Sequence, residues 1–174
     1  MGFNTASVWL KVSVVCLALA TLVFVIGFAT VSWMSYGGAY GSSDYGLWRH
    51  SGCDRSRCWS YKISGYWLDV QGWEDWYQAT RAFECVGLIC LGLALLITFL
   101  FVFVDRCKKR SALIATIVFT FAAVLAMVIG FLIFALKFDD VHAAYGVGWS
   151  MGLAIAGAIL AFIAGVFLVI ELKK

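Results

Sequence analysis

Four long runs of apolar residues dominate the chain, and shorter polar segments separate them. The runs hold almost no charged side chains, and none shows the polar stripe that marks a water-facing helix. Each run exceeds the roughly 20 residues that an α-helix needs to cross about 30 Å of hydrocarbon. Inside lipid the backbone must satisfy its own hydrogen bonds, so runs of this length predict helices and not strands. The predicted spans cover residues 12–34, 82–104, 112–136 and 149–172.

The composition agrees with a chain that lies mostly in lipid. The 174 residues are 63% hydrophobic and 13% charged, and the mean hydropathy is +0.93. A soluble domain carries about 25% charged residues. The shortage of charge therefore argues against a soluble bundle of four buried helices.

Basic residues indicate which way the spans run. Four of them fall in the short loop 105–111, Lys11 precedes the first run, and Lys173 follows the last. Loops rich in Lys and Arg stay in the cytoplasm. We therefore expect both termini and this loop to be cytoplasmic, and residues 35–80 and 137–148 to form two extracellular loops.

The first extracellular loop is large enough to fold. It begins with turn-forming residues at 36–44, and stretches rich in aromatic and β-branched residues at Trp48, 59–63 and 66–70 predict short strands. Between residues 72 and 81, aromatic residues recur at helical spacing, which predicts a short outer helix that leads into the second span. The chain is thus expected to form one domain, 1–174, with a small antiparallel sheet on a four-helix bundle.

Two cysteines of the first extracellular loop, Cys53 and Cys58, lie close together in sequence. The extracellular side is oxidising, so a disulfide that pins a hairpin is one interpretation. A zinc site with His50 is the alternative, although it supplies only three ligands. Cys107 is expected at the cytoplasmic membrane edge among basic residues. It is either a site of reversible palmitoylation or a plain structural cysteine.

The order of several residues gives the chain a family resemblance. A tryptophan follows the first run, a Gly-Leu-Trp triplet and the cysteine pair follow it, and an arginine opens the second span: Trp33, Gly46, Leu47, Trp48, Cys53, Cys58 and Arg81. In this order the chain resembles the claudin and peripheral myelin protein/epithelial membrane protein/lens fibre membrane protein superfamily, over essentially its whole length. The resemblance implies a membrane protein with a left-handed bundle of four transmembrane helices and a small extracellular antiparallel β-sheet.

The resemblance also implies a function. Such proteins lie in the plasma membrane at cell–cell contacts, where they mediate adhesion, form barriers or line paracellular pores through the extracellular sheet. Besides membrane lipid, their partners are further copies in the same membrane and across two membranes. Other relatives are auxiliary subunits of an ion channel or receptor, or organise membranes as myelin and epithelial proteins do, and these roles are the alternatives here.

Specific roles are expected for several residues. The resemblance implies that the Gly-Leu-Trp triplet seats the sheet on the bundle. Trp48 is expected to be the apolar anchor near the membrane interface. Arg81 is expected to bind loop carbonyls or a carboxylate, and Glu84 either pairs with it or faces a polar pocket. The loop has surplus aromatic residues, which either form an interface with a partner or a belt at the membrane surface. The candidates are Trp59, Tyr61, Tyr66, Trp67, Trp73 and Trp76.

Enzymatic function is not expected from this sequence. It offers no Ser/His/Asp or Cys/His arrangement with a plausible shared site, no Gly-rich phosphate loop and no complete metal-ligand set. We therefore predict no catalytic residue, no cofactor and no nucleic-acid partner.

Overall fold

The computed structural model describes residues 7–38, 41–104, 110–141 and 145–173, apart from the side chains of residues 66, 67, 71 and 139–141. The helices in these ranges are α1 (Val8–Ala29), α2 (Gly65–Gln71), α3 (Glu74–Phe103), α4 (Arg110–Val141) and α5 (Trp149–Leu172). The strands are β1 (Met34–Gly38), β2 (Gly41–Tyr45), β3 (Arg49–Asp54), β4 (Cys58–Lys62) and β5 (Gly146–Val147).

Four of these helices, α1, α3, α4 and α5, are long and apolar enough to cross a membrane, which confirms the predicted number of spans. α1 packs along α5, α5 packs on α4, and α4 packs along α3. Small residues permit the closest of these contacts. A Cβ atom at Gly27 of α1 would lie 2.6 Å from the Ser150 carbonyl oxygen of α5.

The helix bounds differ from the predicted spans in α1, α3 and α4. α1 begins at Val8, four residues before the predicted span, and α4 ends at Val141, five residues beyond its predicted span. α1 ends at Ala29 because Thr30 has an extended backbone, and the remaining residues of the first apolar run lead into the sheet. α3 begins at Glu74, so the predicted outer helix and the second span form one continuous helix. α5 has the bounds predicted for the fourth span. Where the hydrocarbon begins along each helix stays a prediction.

All five strands form one antiparallel sheet in the order β4-β3-β2-β1-β5, which confirms the predicted fold class. Three consecutive hairpin connections build most of it. The two-residue strand β5 comes from the second predicted extracellular loop and pairs with β1 through Met34 and Val147. The sheet therefore joins both loops at one end of the bundle.

The predicted strand at residues 66–70 is wrong, because this segment lies in helix α2. Leu68 is completely buried and anchors the helix in the core. Gly72, with φ of +69°, reverses the chain after the helix, and the Trp73 amide donates to the Leu68 carbonyl at 2.9 Å. Packing of Leu68 and this C-terminal closure override the strand propensity of the neighbouring aromatic residues. Trp48 also lies between β2 and β3 and not within a strand.

Candidate functional site

The residues of the family resemblance meet where the sheet joins the bundle. We call Trp33, Gly46, Leu47, Trp48 and Arg81 the motif cluster. Trp33 is fully buried. Its indole Nε1 donates to the Gly27 carbonyl at 2.8 Å, and its ring packs against Phe134 of α4 with centroids 5.2 Å apart. Trp33 therefore fixes the exit of α1 against another helix.

Gly46 brings the β2–β3 turn into backbone contact with the end of α1. A Cβ atom at this position would lie 2.6 Å from Val31 Cα and 2.8 Å from the Thr30 carbonyl oxygen. Among the described residues, glycines with positive φ occur elsewhere, at Gly41 and Gly72. A glycine can be needed for a positive φ or for close approach of two backbones, and at Gly46 the reason is close approach.

Arg81 joins α3 to two separate loops. Its Nε donates to the Leu47 carbonyl at 2.7 Å, and its Nη2 donates to the Ile63 carbonyl at 3.2 Å. The guanidinium lies 5.1 Å from the ring centroid of Trp48 and 5.0 Å from that of Tyr77. Arg81 therefore binds loop carbonyls, which is one of the two arrangements predicted for it.

Leu47 and Trp48 complete the contact between the turn and the helices. Leu47 is completely buried, and Trp48 is half-buried. The Trp48 ring packs edge-on against Phe28 of α1 at 5.4 Å, and its carbonyl accepts from the Ile63 amide at 2.9 Å. One turn therefore contacts α1 through Trp48 and α3 through the arginine.

Three polar residues of this junction make hydrogen bonds that were not expected from the sequence. The Tyr77 hydroxyl donates to the Gly46 carbonyl. The Ser32 amide donates to Ser150 Oγ at 3.0 Å, and the Ser150 amide donates back to the Ser32 carbonyl at 3.0 Å. Ser150 follows Trp149 at the start of α5, where N-terminal amides lack intrahelical partners. That position is the signal from which its role could have been inferred.

The β3–β4 hairpin is closed by a disulfide between Cys53 and Cys58. The two residues face each other in the strand register. The bond uses both thiols, so the alternative zinc site is overturned. All four residues of its turn, 54–57, are exposed.

One face of the sheet carries a row of aromatic rings, which we call the aromatic row. Tyr45 stacks on His50 with centroids 3.8 Å apart, His50 meets Trp59 at 4.5 Å, and Trp59 stacks on Tyr61 at 5.3 Å. The row starts in the core, because Tyr45 is buried, and ends at Tyr61, which is 64% exposed. Burial, with a smaller contribution from Tyr145, raises the pKa of Tyr45 to about 12, so its hydroxyl stays neutral at physiological pH.

The candidate interface residues lie in different environments. Trp59 is half-buried and Tyr61 is exposed, both on the closed hairpin. Trp73 is buried against Tyr45 and Phe138, so its assignment to an exposed surface is corrected. The remaining candidates are either partly covered by other residues or have side chains that the structure does not describe. Trp76 is half-buried against α4, the side chains of Tyr66 and Trp67 are not among those described, and Cys107 lies outside the described residues.

Glu84 does not pair with Arg81, which was one expectation for it. Its side chain is completely buried in the bundle, and neither carboxyl oxygen has a hydrogen-bond partner among the described residues. Gly130 of α4 leaves the room that the carboxyl occupies, because a Cβ atom there would lie 2.8 Å from Glu84 Cδ.

The comparison with known families fits this architecture. The family model described as the PMP-22/EMP/MP20/Claudin family matches residues 6–168. The chain belongs to this family. A comparison with individually curated proteins gave no significant match. Membership of the PMP-22/EMP/MP20/Claudin family makes the chain a structural membrane protein, and the motif cluster is the place where its two parts, sheet and bundle, are joined.

Proposed function

We propose that the protein acts at cell–cell contacts of the plasma membrane, where its sheet faces the extracellular space and mediates adhesion, barrier formation or a paracellular pore. Family membership supports a membrane protein of this type. Both termini then lie in the cytoplasm. The partners are membrane lipid and other copies of the chain, in the same membrane and across two membranes.

The observation that carries the proposal is a disulfide-closed hairpin at one edge of an anchored sheet. Arg81 and Tyr77 bind the sheet to α3, and the Cys53–Cys58 bond closes the β3–β4 hairpin. Tyr61 is exposed on that hairpin. A preorganised aromatic side chain loses little conformational freedom on binding, so this surface suits contact with another protein.

The proposal predicts where the protein collects in cells that lack relatives. A tagged form is expressed in one population, which is then plated with untransfected cells and imaged. Enrichment only where two expressing cells touch is the expected result, because adhesion through the sheet needs a copy in each membrane. The Cys53→Ser variant, in which the hairpin is open, should lose this enrichment.

Two tyrosines of the sheet supply a matched pair for the same assay. Tyr61→Ser removes the exposed ring of the hairpin, whereas Tyr36→Ser removes a ring that is 42% exposed on β1. Loss of enrichment in the first variant and its retention in the second would assign contact to the hairpin. Uniform surface staining of the unmodified protein would reject self-adhesion.

The alternative is an auxiliary subunit of an ion channel or receptor, or a membrane organiser of the myelin/epithelial type. The same exposed hairpin supports docking on a larger membrane protein. Uniform staining together with a stable complex recovered by affinity purification would favour the subunit. Uniform staining without such a complex would favour the organiser.

A further inference from the structure

An apolar groove lies between α1 and α3 in the half of the bundle that is farther from the sheet. It has a volume of about 540 Å³. Its walls include Val14, Ala18, Gly92, Leu96, Phe99 and Phe103. The groove exists because α1 packs mainly on α5 and α3 mainly on α4, so that α1 and α3 share much less surface.

Gly92 keeps the groove open. A Cβ atom at this position would meet no other atom within 4 Å, so the glycine serves no close helix contact there. Gly87, one turn or so nearer the sheet, differs: a Cβ atom would lie 2.8 Å from Met127 Cγ of α4. The missing side chain at Gly92 therefore leaves space that faces lipid and not another helix.

The length of the groove matches an acyl chain in one leaflet. From Gly92 to Phe103 the wall of α3 runs about 16 Å at 1.5 Å per residue. Hydrocarbon is about 30 Å thick, so this distance is about one leaflet.

Charge indicates which lipid would enter. Among the described residues at this end, Lys11, Arg110 and Lys173 are basic and Glu171 is acidic. By sequence alone, the connection between α3 and α4 adds three basic residues and one acidic residue. Lys11 lies one turn before Val14 on the face of α1 that leads into the groove. Lipid tails are as apolar as the groove walls, so the headgroup must supply the preference, and basic residues at the membrane surface attract anionic headgroups.

We propose that the groove between α1 and α3 binds one acyl chain of an anionic phospholipid, whose headgroup lies beside the basic end of the bundle. The leaflet would be the cytoplasmic one, an assignment that rests on the orientation proposed above. The binding itself does not depend on that orientation or on the function at cell contacts.

The test is photocrosslinking in phosphatidylcholine nanodiscs. Purified full-length protein is reconstituted with a small fraction of phosphatidylserine that carries a diazirine in one acyl chain, and labelled peptides are mapped by mass spectrometry. Label is expected in residues 14–18 and 92–103. Its yield should be about fivefold higher than with equally photoreactive phosphatidylcholine, because one basic residue near an anionic headgroup contributes about 1 kcal/mol. Equal yields from the two lipids, or a preference for a photoreactive sterol, would overturn the proposal.

Two glycines that face open space provide matched variants. Gly92→Leu fills the groove, whereas Gly152→Leu places the same side chain on α5, where a Cβ atom also meets nothing within 4 Å. Both substitutions raise helix propensity, so neither should impair folding. We expect Gly92→Leu to reduce phosphatidylserine labelling to the phosphatidylcholine level and Gly152→Leu to leave it unchanged.

A third variant tests the headgroup separately. Lys11→Gln keeps the groove and removes one positive charge, so it should lower the preference for phosphatidylserine several-fold while phosphatidylcholine labelling stays the same. Labelling of residues 92–103 that is insensitive to both Gly92→Leu and Lys11→Gln would show that the groove does not select this lipid.

Discussion

Arg81 holds two loops of the sheet on one helix through its planar guanidinium, which binds the Leu47 and Ile63 carbonyls and lies over Trp48. We predict that Arg81→Lys destabilises the protein, because a single ammonium cannot bind both carbonyls and stack at once. The expected loss is about 1–3 kcal/mol in the free energy of unfolding. Thermal unfolding of the purified protein in detergent micelles measures it.

Arg49 provides the control for this prediction. It is exposed on β3, so Arg49→Lys should change the free energy of unfolding by less than about 0.5 kcal/mol. If both variants unfolded at the wild-type temperature, the two carbonyl contacts would contribute nothing to holding the sheet.

Glu84 and Gly130 form a second pair at the residue scale. Gly130→Ala should destabilise the bundle, because the new methyl group would overlap the buried Glu84 carboxyl. In a Glu84→Ala background the same change should cost less, since the carboxyl is gone. A double-mutant cycle of thermal unfolding should give a coupling of about 0.5–3 kcal/mol.

The control for this cycle is Gly92→Ala, which adds a methyl group where nothing lies within 4 Å. It should show no coupling to Glu84→Ala. Additive effects of Gly130→Ala and Glu84→Ala would contradict the close contact of α3 and α4 at this level.

Among the elements, the β3–β4 hairpin depends most on a covalent bond. Because the disulfide closes a loop of only a few residues, we estimate from loop entropy that it stabilises the hairpin by about 2 kcal/mol. Reduction, or the Cys53→Ser/Cys58→Ser variant, should therefore speed amide hydrogen exchange in β3 and β4. Exchange in the core of α4 should stay unchanged, and faster exchange throughout the chain would contradict a local role.

The elements also show what a sequence pattern can and cannot predict. The four spanning helices could be predicted from long apolar runs, because in lipid a single segment can satisfy its backbone hydrogen bonds only as a helix. Helix α2 did not follow, since its aromatic and β-branched residues favour a strand and only the burial of Leu68 reverses that preference. Gly72 could have indicated the helix, because a glycine commonly follows the last residue of a helix.

The motif cluster could be predicted as a set but not as a network of contacts. The resemblance carried by Trp33 and the Gly-Leu-Trp triplet implies a junction between sheet and bundle. Hydrogen bonds such as that from Tyr77 to Gly46 join residues far apart in sequence, and no local pattern reports them. Trp73 illustrates the same limit, because its burial is decided by Phe138 of another helix.

At the scale of the whole molecule, two features support the proposed orientation in the membrane. The disulfide lies in the sheet at one end, and disulfides persist in oxidising compartments. Lys11, Arg110 and Lys173 lie at the opposite end, and basic residues stay in the cytoplasm. Both features support the proposed orientation, with the sheet outside the cell and the termini inside.

This orientation can be tested with a glycan. The chain has one asparagine, Asn4, and no Ser or Thr stands two residues after it, so the natural sequence offers no acceptor. Asp54→Asn creates an Asn-Arg-Ser acceptor with Arg55 and Ser56 in the exposed hairpin turn. We expect the variant to gain a glycan that glycosidase removes, and a tag at the C-terminus to bind antibody only after permeabilisation.

The decisive comparison adds Ser56→Ala to the same variant, which keeps the asparagine but destroys the acceptor. Since both proteins share the change in the turn, a mass difference between them can come only from the glycan. Glycosylation of the first protein alone would place the disulfide and the sheet outside the cell together. An unglycosylated Asp54→Asn protein whose tag binds antibody on intact cells would reverse the orientation, and the basic end, with the groove between α1 and α3, would then face the outer leaflet.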